Sequence, residues 1–193
     1  IISASRTTWP DFGMHPACLY TDSRSMLRSV KNLHDQYITS SGKPLGRVTS
    51  FFVRRDTREV SYAVVAPPAK NGQTVEGRVV PMGDGVHING GPEGVRIQYA
   101  VRRLPARSRI NFYPDQYIST QELIGMSVLT PKGMIGEVED LVIEDDSFEL
   151  RFIIVDSAQI FSEKNLLVNA DSIERIDLAG KALVLSETID DIR

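Results

Sequence analysis

Apolar segments rich in β-branched and aromatic residues recur along this chain between polar turns, which predicts β-strands. The longest form two pairs, residues 45–56 followed by 59–65 and residues 135–146 followed by 149–155. A short polar turn joins the two segments of each pair, so a hairpin is the natural pairing. The second pair repeats the first at an offset of 90 residues, with matches at Gly46/Gly136, Val48/Val138, Asp56/Asp146, Glu59/Glu149, Tyr62/Phe152 and Val65/Val155.

Shorter segments around these hairpins extend the prediction. Asn89, Gly90 and Gly91 tolerate positive φ and are predicted to form a further hairpin turn. Short strands with turns every 8–12 residues, roughly, are typical of a small barrel or sandwich. The strands are predicted at residues 37–39, 79–81, 86–88, 95–99, 166–168 and 182–185, and single helical turns at 29–33 and 119–124.

The repeat divides the chain into four parts. Residues 1–24 show no clear period and are interpreted as an extended N-terminal arm. Residues 25–103 and 119–193 are predicted to be two domains of one kind, joined by a linker at 104–118. The predicted fold class is therefore all-β, with two tandem small barrels after an extended arm. Their relative orientation, the oligomeric state and whether the arm is ordered without a partner stay open.

The bulk composition is that of a globular protein, with 41% apolar and 24% charged residues in a chain of 193. No run of about 18 apolar residues could span a membrane, and the first residues lack the apolar core of a signal peptide. A single cysteine, Cys18, excludes an internal disulfide and suits a reducing compartment. The chain does not start with Met, which leaves open that residues precede Ile1.

The net charge of −3 hides an asymmetry between the two halves. Residues 1–103 carry 14 basic against 8 acidic side chains, and residues 104–193 carry 8 against 17. One interpretation is that the halves face different surroundings. The other is that two solvated surfaces attract each other.

Few residues point to chemistry. His15, His34 and His87 do not stand at a known ligand spacing, and Cys18 has no local signature of a nucleophile. We therefore expect no catalytic residues, no cofactor and no metal. Six acidic residues between 137 and 146 are interpreted as a solvated outer face, the alternative being a surface for a cation or a basic partner; they are Glu137, Glu139, Asp140, Glu144, Asp145 and Asp146.

Aromatic and basic residues are the candidates for partner contact. Aromatics are enriched at interface anchors, and arginines bind lipid headgroups, nucleic-acid phosphates or acidic protein faces. The sequence does not choose among these three partners. The candidates are Trp9, Phe12 and Tyr20 in the arm, Arg54, Arg55 and Arg58 at a hairpin tip, and Arg102, Arg103, Arg107 and Arg109 near the linker.

The chain resembles the PRC-barrel family in both repeats. In the first the resemblance rests on residues 26–33, on Gly46-Arg47-Val48 and on the strand ending at Val65. The second resembles the family more closely, through Leu123-Ile124-Gly125, residues 136–140 and residues 151–156 with their terminal Asp156. The first copy departs at Ala66-Pro67-Pro68 and has Asp35 where the second has Gly125.

The resemblance implies small, strongly bent barrels and brings no catalytic residues. The family occurs in the cytoplasmic part of the photosynthetic reaction-centre H subunit and in a ribosome maturation factor. The implied function is a non-enzymatic scaffold, in the cytoplasm and peripheral to the inner membrane. It would dock on the cytoplasmic face of a membrane complex, expected to be a reaction centre with its light-harvesting antenna, with anionic lipid headgroups as a further contact. The alternative is an RNA-binding or ribosome-assembly factor, against which the acidic pI of 5.7 counts.

Overall fold

The computed structural model describes residues 25–188, except 41, 68–76, 84–85, 92–93, 100–114, 159 and 161–164. Within these residues the fold is all-β, as predicted, with two one-turn helices and one 3₁₀ turn. The predicted arm and most of the predicted linker lie outside the described residues.

The described chain begins with a three-residue strand, β1 (Leu27–Ser29), and the one-turn helix α1 (Val30–Leu33). The first sheet follows. Its order is β5-β4-β3-β2-β7-β6, all antiparallel except the parallel pair β2 and β7. The strands are β2 (Tyr37–Ser40), β3 (Lys43–Arg54), β4 (Val60–Ala66), β5 (Arg78–Pro81), β6 (Val86–Gly91) and β7 (Gly94–Tyr99).

The second sheet has the same order one repeat later, β12-β11-β10-β9-β14-β13. It is preceded by the short strand β8 (Tyr117–Ser119) and the helix α2 (Thr120–Leu123). A 3₁₀ turn at Ala170–Ser172 separates β12 from β13. The strands are β9 (Ser127–Thr130), β10 (Gly133–Glu144), β11 (Leu150–Asp156), β12 (Asn165–Asn169), β13 (Ile173–Asp177) and β14 (Ala182–Leu185).

The repeat places a glycine at the same position of both long strands, Gly46 in β3 and Gly136 in β10, and the structure shows why. Gly46 and Gly136 have φ of 151° and 148°, and each lies beside the end of the next strand. A Cβ on Gly46 would stand 2.1 Å from the carbonyl oxygen of Ala66, and one on Gly136 equally close to that of Asp156. Only glycine allows the backbone to approach so closely.

The two halves exchange their first strands. β1 pairs with β10 of the second sheet, and β8 pairs with β3 of the first. The exchange is symmetric, since Ser29 lies opposite Val142 and Ser119 opposite Phe52. Residues 59 and 149, equivalent in the repeat, form a bridge with each other where a pseudo-twofold axis would pass. The buried apolar residues of both halves form one hydrophobic core.

Strands β1 and β8 were not predicted, and two details of the sheets also differ from the sequence prediction. The hairpin of β6 and β7 is present, but β6 runs through Gly91, so the predicted turn at 89–91 was placed too early. Strand β13 was not predicted, because only Ile173 of its five residues is buried and the pairing with β14 shifts register there. In the described residues the end strands of each sheet do not pair with each other, so closure into two barrels stays a prediction.

Candidate functional site

A buried carboxylate holds the exchanged strand β1 and helix α1 on the second sheet. Asp140 on β10 is 6% exposed and accepts three hydrogen bonds beyond its own strand pairing. Ser29 donates its hydroxyl to one oxygen, and the backbone N–H groups of Lys31 and Leu141 donate to the other at 3.0 and 2.7 Å. Because Ser29 also caps α1, one side chain joins the helix start to the neighbouring sheet.

A second carboxylate forms a buried ion pair with β1. Asp145 accepts from the Arg28 Nε at 3.0 Å, and the two side chains are 8% and 5% exposed. Its other oxygen accepts the backbone N–H of Met26 at 2.7 Å, while its own N–H donates to the Met26 carbonyl at 2.9 Å. Strand β1 is therefore held to the second sheet at both its backbone and its side chains.

In the reverse exchange, β8 and α2 pack on the first sheet, and a different side chain accepts the equivalent backbone N–H. The N–H of Phe51, equivalent to that of Leu141, donates to the hydroxyl of Thr120 at 3.2 Å. Gln121 donates its amide to the carbonyl of Thr49 at 2.8 Å. In the second sheet the acceptor is Asp140 of β10 itself. In the first sheet Thr120 of α2 provides the acceptor, so no carboxylate is needed there.

These contacts correct the interpretation of the acidic segment as a solvated outer face at Asp140, Glu144 and Asp145, whereas Glu137 and Asp146 are exposed as expected. Asp140 and Asp145 are interior and bind the first residues of the described chain. Glu144 joins them by accepting the hydroxyl of Ser25 at 2.8 Å. Hydrogen bonds from Ser147, Arg151 and Ser25 hold the pKa of Glu144 below its ordinary value. The sequence did not show this, because the register of β10 shifts between Val138 and Asp140, and such a bulge changes the face to which the following side chains point.

The arginine-rich turn between β3 and β4 lies against the second sheet. Arg58 donates to the carboxylate of Asp171 at 3.0 Å and to the carbonyl of Ile173 at 2.7 Å. Arg55 donates to the carbonyl of Ile176 at 3.0 Å. Arg54 turns back to Asp56, an exposed pair whose guanidinium lowers the pKa of the Asp56 carboxyl. The structure thus brings these three predicted partner-binding residues together, and two of them bind strand β13 or the turn before it.

A cavity of about 520 Å³ lies beneath this turn. Its wall on one side is formed by core residues of the second sheet, including Leu141, Ile153 and Leu183. Its rim carries both signs of charge: Arg54, Arg55, Arg58, Asp56, Asp115, Glu174 and Arg175. The three core side chains are fully buried, so the surface that the cavity offers to a ligand comes mainly from the charged rim.

An apolar patch lies on the outer face of the second sheet. Ile154 of β11 is opposite Leu167 of β12, and Phe152 stands two residues from Ile154 on the same face. Leu167 is 44% exposed, and the other two are half-buried. Contiguous exposed apolar surface marks interaction sites more often than scattered single residues do.

The histidines do not form a catalytic group in the described residues. His34 follows α1 and is half-buried, its Nε2 lacks a hydrogen-bond partner, and burial lowers its pKa. His87 is exposed on β6, and neither histidine lines the cavity. No cluster of His, Cys, Asp and Glu suitable for a metal ion occurs in the part of the chain that the structure describes. Nor is any helix there long and apolar enough to cross a membrane.

Seven of the ten residues predicted to contact a partner lie outside the described residues. They are Trp9, Phe12, Tyr20, Arg102, Arg103, Arg107 and Arg109. Their role stays a prediction, as does the division of the chain at residues 24, 103 and 118. Ile118, placed in the predicted linker, lies in β8 and is buried against the first sheet.

Comparison with known proteins gives one assignment. No curated protein matches the chain. Residues 115–192, which hold β8, α2 and all six strands from β9 to β14, match the family of the PRC-barrel domain.

Proposed function

We propose that the protein is a non-enzymatic docking subunit built from two tandem PRC barrels. It would sit in the cytoplasm, peripheral to the inner membrane, on the cytoplasmic face of a membrane complex. A photosynthetic reaction centre with its light-harvesting antenna is the complex we propose, by analogy with where the family occurs.

The proposal is supported by the PRC-barrel match at residues 115–192 together with the same strand order in the first sheet. The two sheets have the same strand order and hold each other through exchanged strands. A body interlocked in this way keeps its outer surfaces at fixed spacing. That property suits a protein that must position other subunits.

The apolar patch of Phe152, Ile154 and Leu167 is the surface we propose for the partner. It lies on the outer face of a sheet, so substitution of its exposed member does not disturb the core. The arm residues Trp9, Phe12 and Tyr20 would add a second contact.

An RNA-binding or ribosome-assembly factor is the alternative, and the arginine-rich turn argues against it. Arg55 and Arg58 bind groups of the second sheet, so a phosphate would have to compete with these contacts. The same engagement means that the two arginines contribute less to binding lipid headgroups than an exposed cluster would.

The test is capture of the tagged full-length chain from native membranes in mild detergent, followed by mass spectrometry. The proposal expects reaction-centre or antenna subunits, whereas recovery of soluble proteins alone would contradict it. Ribosomal proteins or RNA, lost steeply as salt is raised, would favour the alternative.

A matched pair of variants localises the contact. Leu167→Asp places a charge in the apolar patch and should abolish capture of the partner. Asn165→Asp adds the same charge two residues away on the same exposed face and should retain it. Equal capture by both variants would remove the patch from the proposal and leave the arm as the remaining candidate.

A further inference from the structure

We infer that strand β12 pairs with β12 of a second copy of this chain, antiparallel and about a twofold axis that passes through Leu167. The pairing would join the second sheets of the two copies into one continuous sheet. This homodimer goes beyond the docking function proposed above and does not depend on it.

The sequence of β12 is complementary to itself. Asparagine stands at both ends, Asn165 and Asn169, around three apolar residues, and burial alternates strictly along the strand. In an antiparallel pairing centred on Leu167, that residue lies opposite its own copy, and Asn165 lies opposite Asn169 of the partner subunit. The buried Leu166 and Val168 would likewise lie opposite each other on the core-facing side. Because the strand has no charged residue, the pairing brings no like charges together.

Two other end strands carry the usual protection of a sheet edge, and β12 does not. Exposed edges are commonly protected by charges, by proline or by a covering segment. The equivalent strand of the first sheet, β5, contains Arg78 and Pro81. The other end of the second sheet, β13, is covered by the arginine-rich turn, where Arg58 donates to the Ile173 carbonyl. Within the described residues β12 pairs with β11 alone and has neither charge nor proline.

Pro81 shows which backbone groups of β12 face the open edge. The next residue, Met82, donates its N–H to the Ser61 carbonyl of β4, so the nitrogen of Pro81 points away from β4. Proline in a sheet is tolerated at such an edge position, since no ladder bond is lost. Asn169 has the same register in the second sheet, opposite the equivalent residue of β11. Asn169 and, two residues earlier, Leu167 therefore direct their N–H groups to the open edge, where a second copy can accept them.

The pairing would also cover an exposed apolar side chain. Leu167 is 44% exposed and lies opposite Ile154 of β11 on the outer face of the sheet. With Leu167 beside its own copy, one apolar row would run from Ile154 of one copy to Ile154 of the other. Apolar pairs directly opposite each other on neighbouring strands are what stabilises a sheet.

The first test is sedimentation equilibrium of the purified full chain from about one micromolar to about one millimolar. We expect monomer and dimer without larger species, because a twofold pairing uses the edge of both copies. Asn169→Pro copies the first repeat and removes one edge N–H from each copy, at a residue whose φ of −63° suits proline. It should weaken dimerisation by about tenfold or more. Asn169→Ala loses the same side chain, keeps the N–H and should dimerise as the wild type does.

A cysteine on the twofold axis tests the register. In a Cys18→Ser background, Leu167→Cys should form a covalent dimer on mild oxidation, since directly opposed Cα atoms lie about 5.5 Å apart, within the range of a disulfide. Asn165→Cys is exposed on the same face but would stand about 14 Å from its own copy along the strand, so it should not link. Equal cross-linking of the two variants, or a wild-type chain that is monomeric at every concentration, would overturn the inference.

The outcome is separable from that of the docking experiment. Asn169→Pro keeps the apolar patch of Phe152, Ile154 and Leu167, so capture from membranes by this variant reports on docking without the dimer. A dimeric chain that captures no membrane subunit would contradict the docking function alone. A monomeric chain that captures one would contradict the dimer alone.

Discussion

The ion pair between Arg28 and Asp145 offers the sharpest test of how the exchanged strand is held. Asp145→Asn keeps the shape of the side chain and its acceptor for the Met26 N–H, but removes the charge that faces Arg28. At 3.0 Å and an effective dielectric constant of about 20, the lost attraction is about 5 kcal/mol. With both side chains more than nine-tenths buried, solvent replaces little of it. Removing one partner of such a pair costs about 3–5 kcal/mol of stability.

The double variant distinguishes a buried charge from a simple contact. Position 118, equivalent to Arg28 in the repeat, is an isoleucine that is 1% exposed, so the fold already accepts Ile there. Arg28→Ile combined with Asp145→Asn removes both charges and should therefore cost less than Asp145→Asn alone. Urea unfolding followed by circular dichroism measures Asp145→Asn, Arg28→Ile and the double variant. As the control, Asp56→Asn breaks an exposed pair and should leave the midpoint unchanged. Additive losses in the double variant, or a loss below about 1 kcal/mol for Asp145→Asn, would refute the reasoning.

Three more predictions follow from single residues. Thr120→Val leaves the buried Phe51 N–H without its acceptor and should lower the free energy of unfolding by about 1–3 kcal/mol, measured in urea, whereas Thr57→Val at an exposed turn position should change it little. Gly136→Ala drives a Cβ to 2.1 Å from a backbone oxygen and should lower the melting temperature far more than Gly133→Ala, whose Cβ meets nothing within 4 Å. The pKa of Glu144 is lowered on folding, so its stabilisation is present above the ordinary value of 4.5 and is lost as pH falls through the folded-state pKa. Glu144→Gln should accordingly flatten the pH dependence of the urea midpoint below pH 4.5, and an unchanged profile would contradict the assignment.

The sequence predicted the parts of the fold that depend on neighbouring residues. Runs of β-branched and aromatic residues identified β3 and β10, and turn chemistry joined each to the next strand. The exchange was not predictable, because β1 and β8 have only three residues each and their partners lie elsewhere in the chain. The residues of such a short strand do not indicate which long strand it pairs with.

The candidate site was predicted less completely than the fold. The arginines of the turn were identified, but their engagement with β13 depends on how the two halves pack. The cavity had a signal that alignment of the repeats could have found, namely Arg58 opposite Phe148 in an otherwise similar hairpin. One repeat has a charged residue at this position and the other has a core aromatic. Such a difference indicates that the two copies differ in how the space beneath the hairpin is filled.

The strand exchange also sets the order in which the chain can complete its fold during synthesis. When β8 leaves the ribosome, its partner β3 has already been made and the pair can form at once. Strand β1 is among the first described residues to emerge, yet its partner in β10 ends at residue 144. Through that interval the Arg28 side chain and the Met26 N–H lack the carboxylate of Asp145 that later receives them. Strand β1 therefore waits for β10, and a nascent chain stopped before residue 145 leaves β1 without the strand that it pairs with.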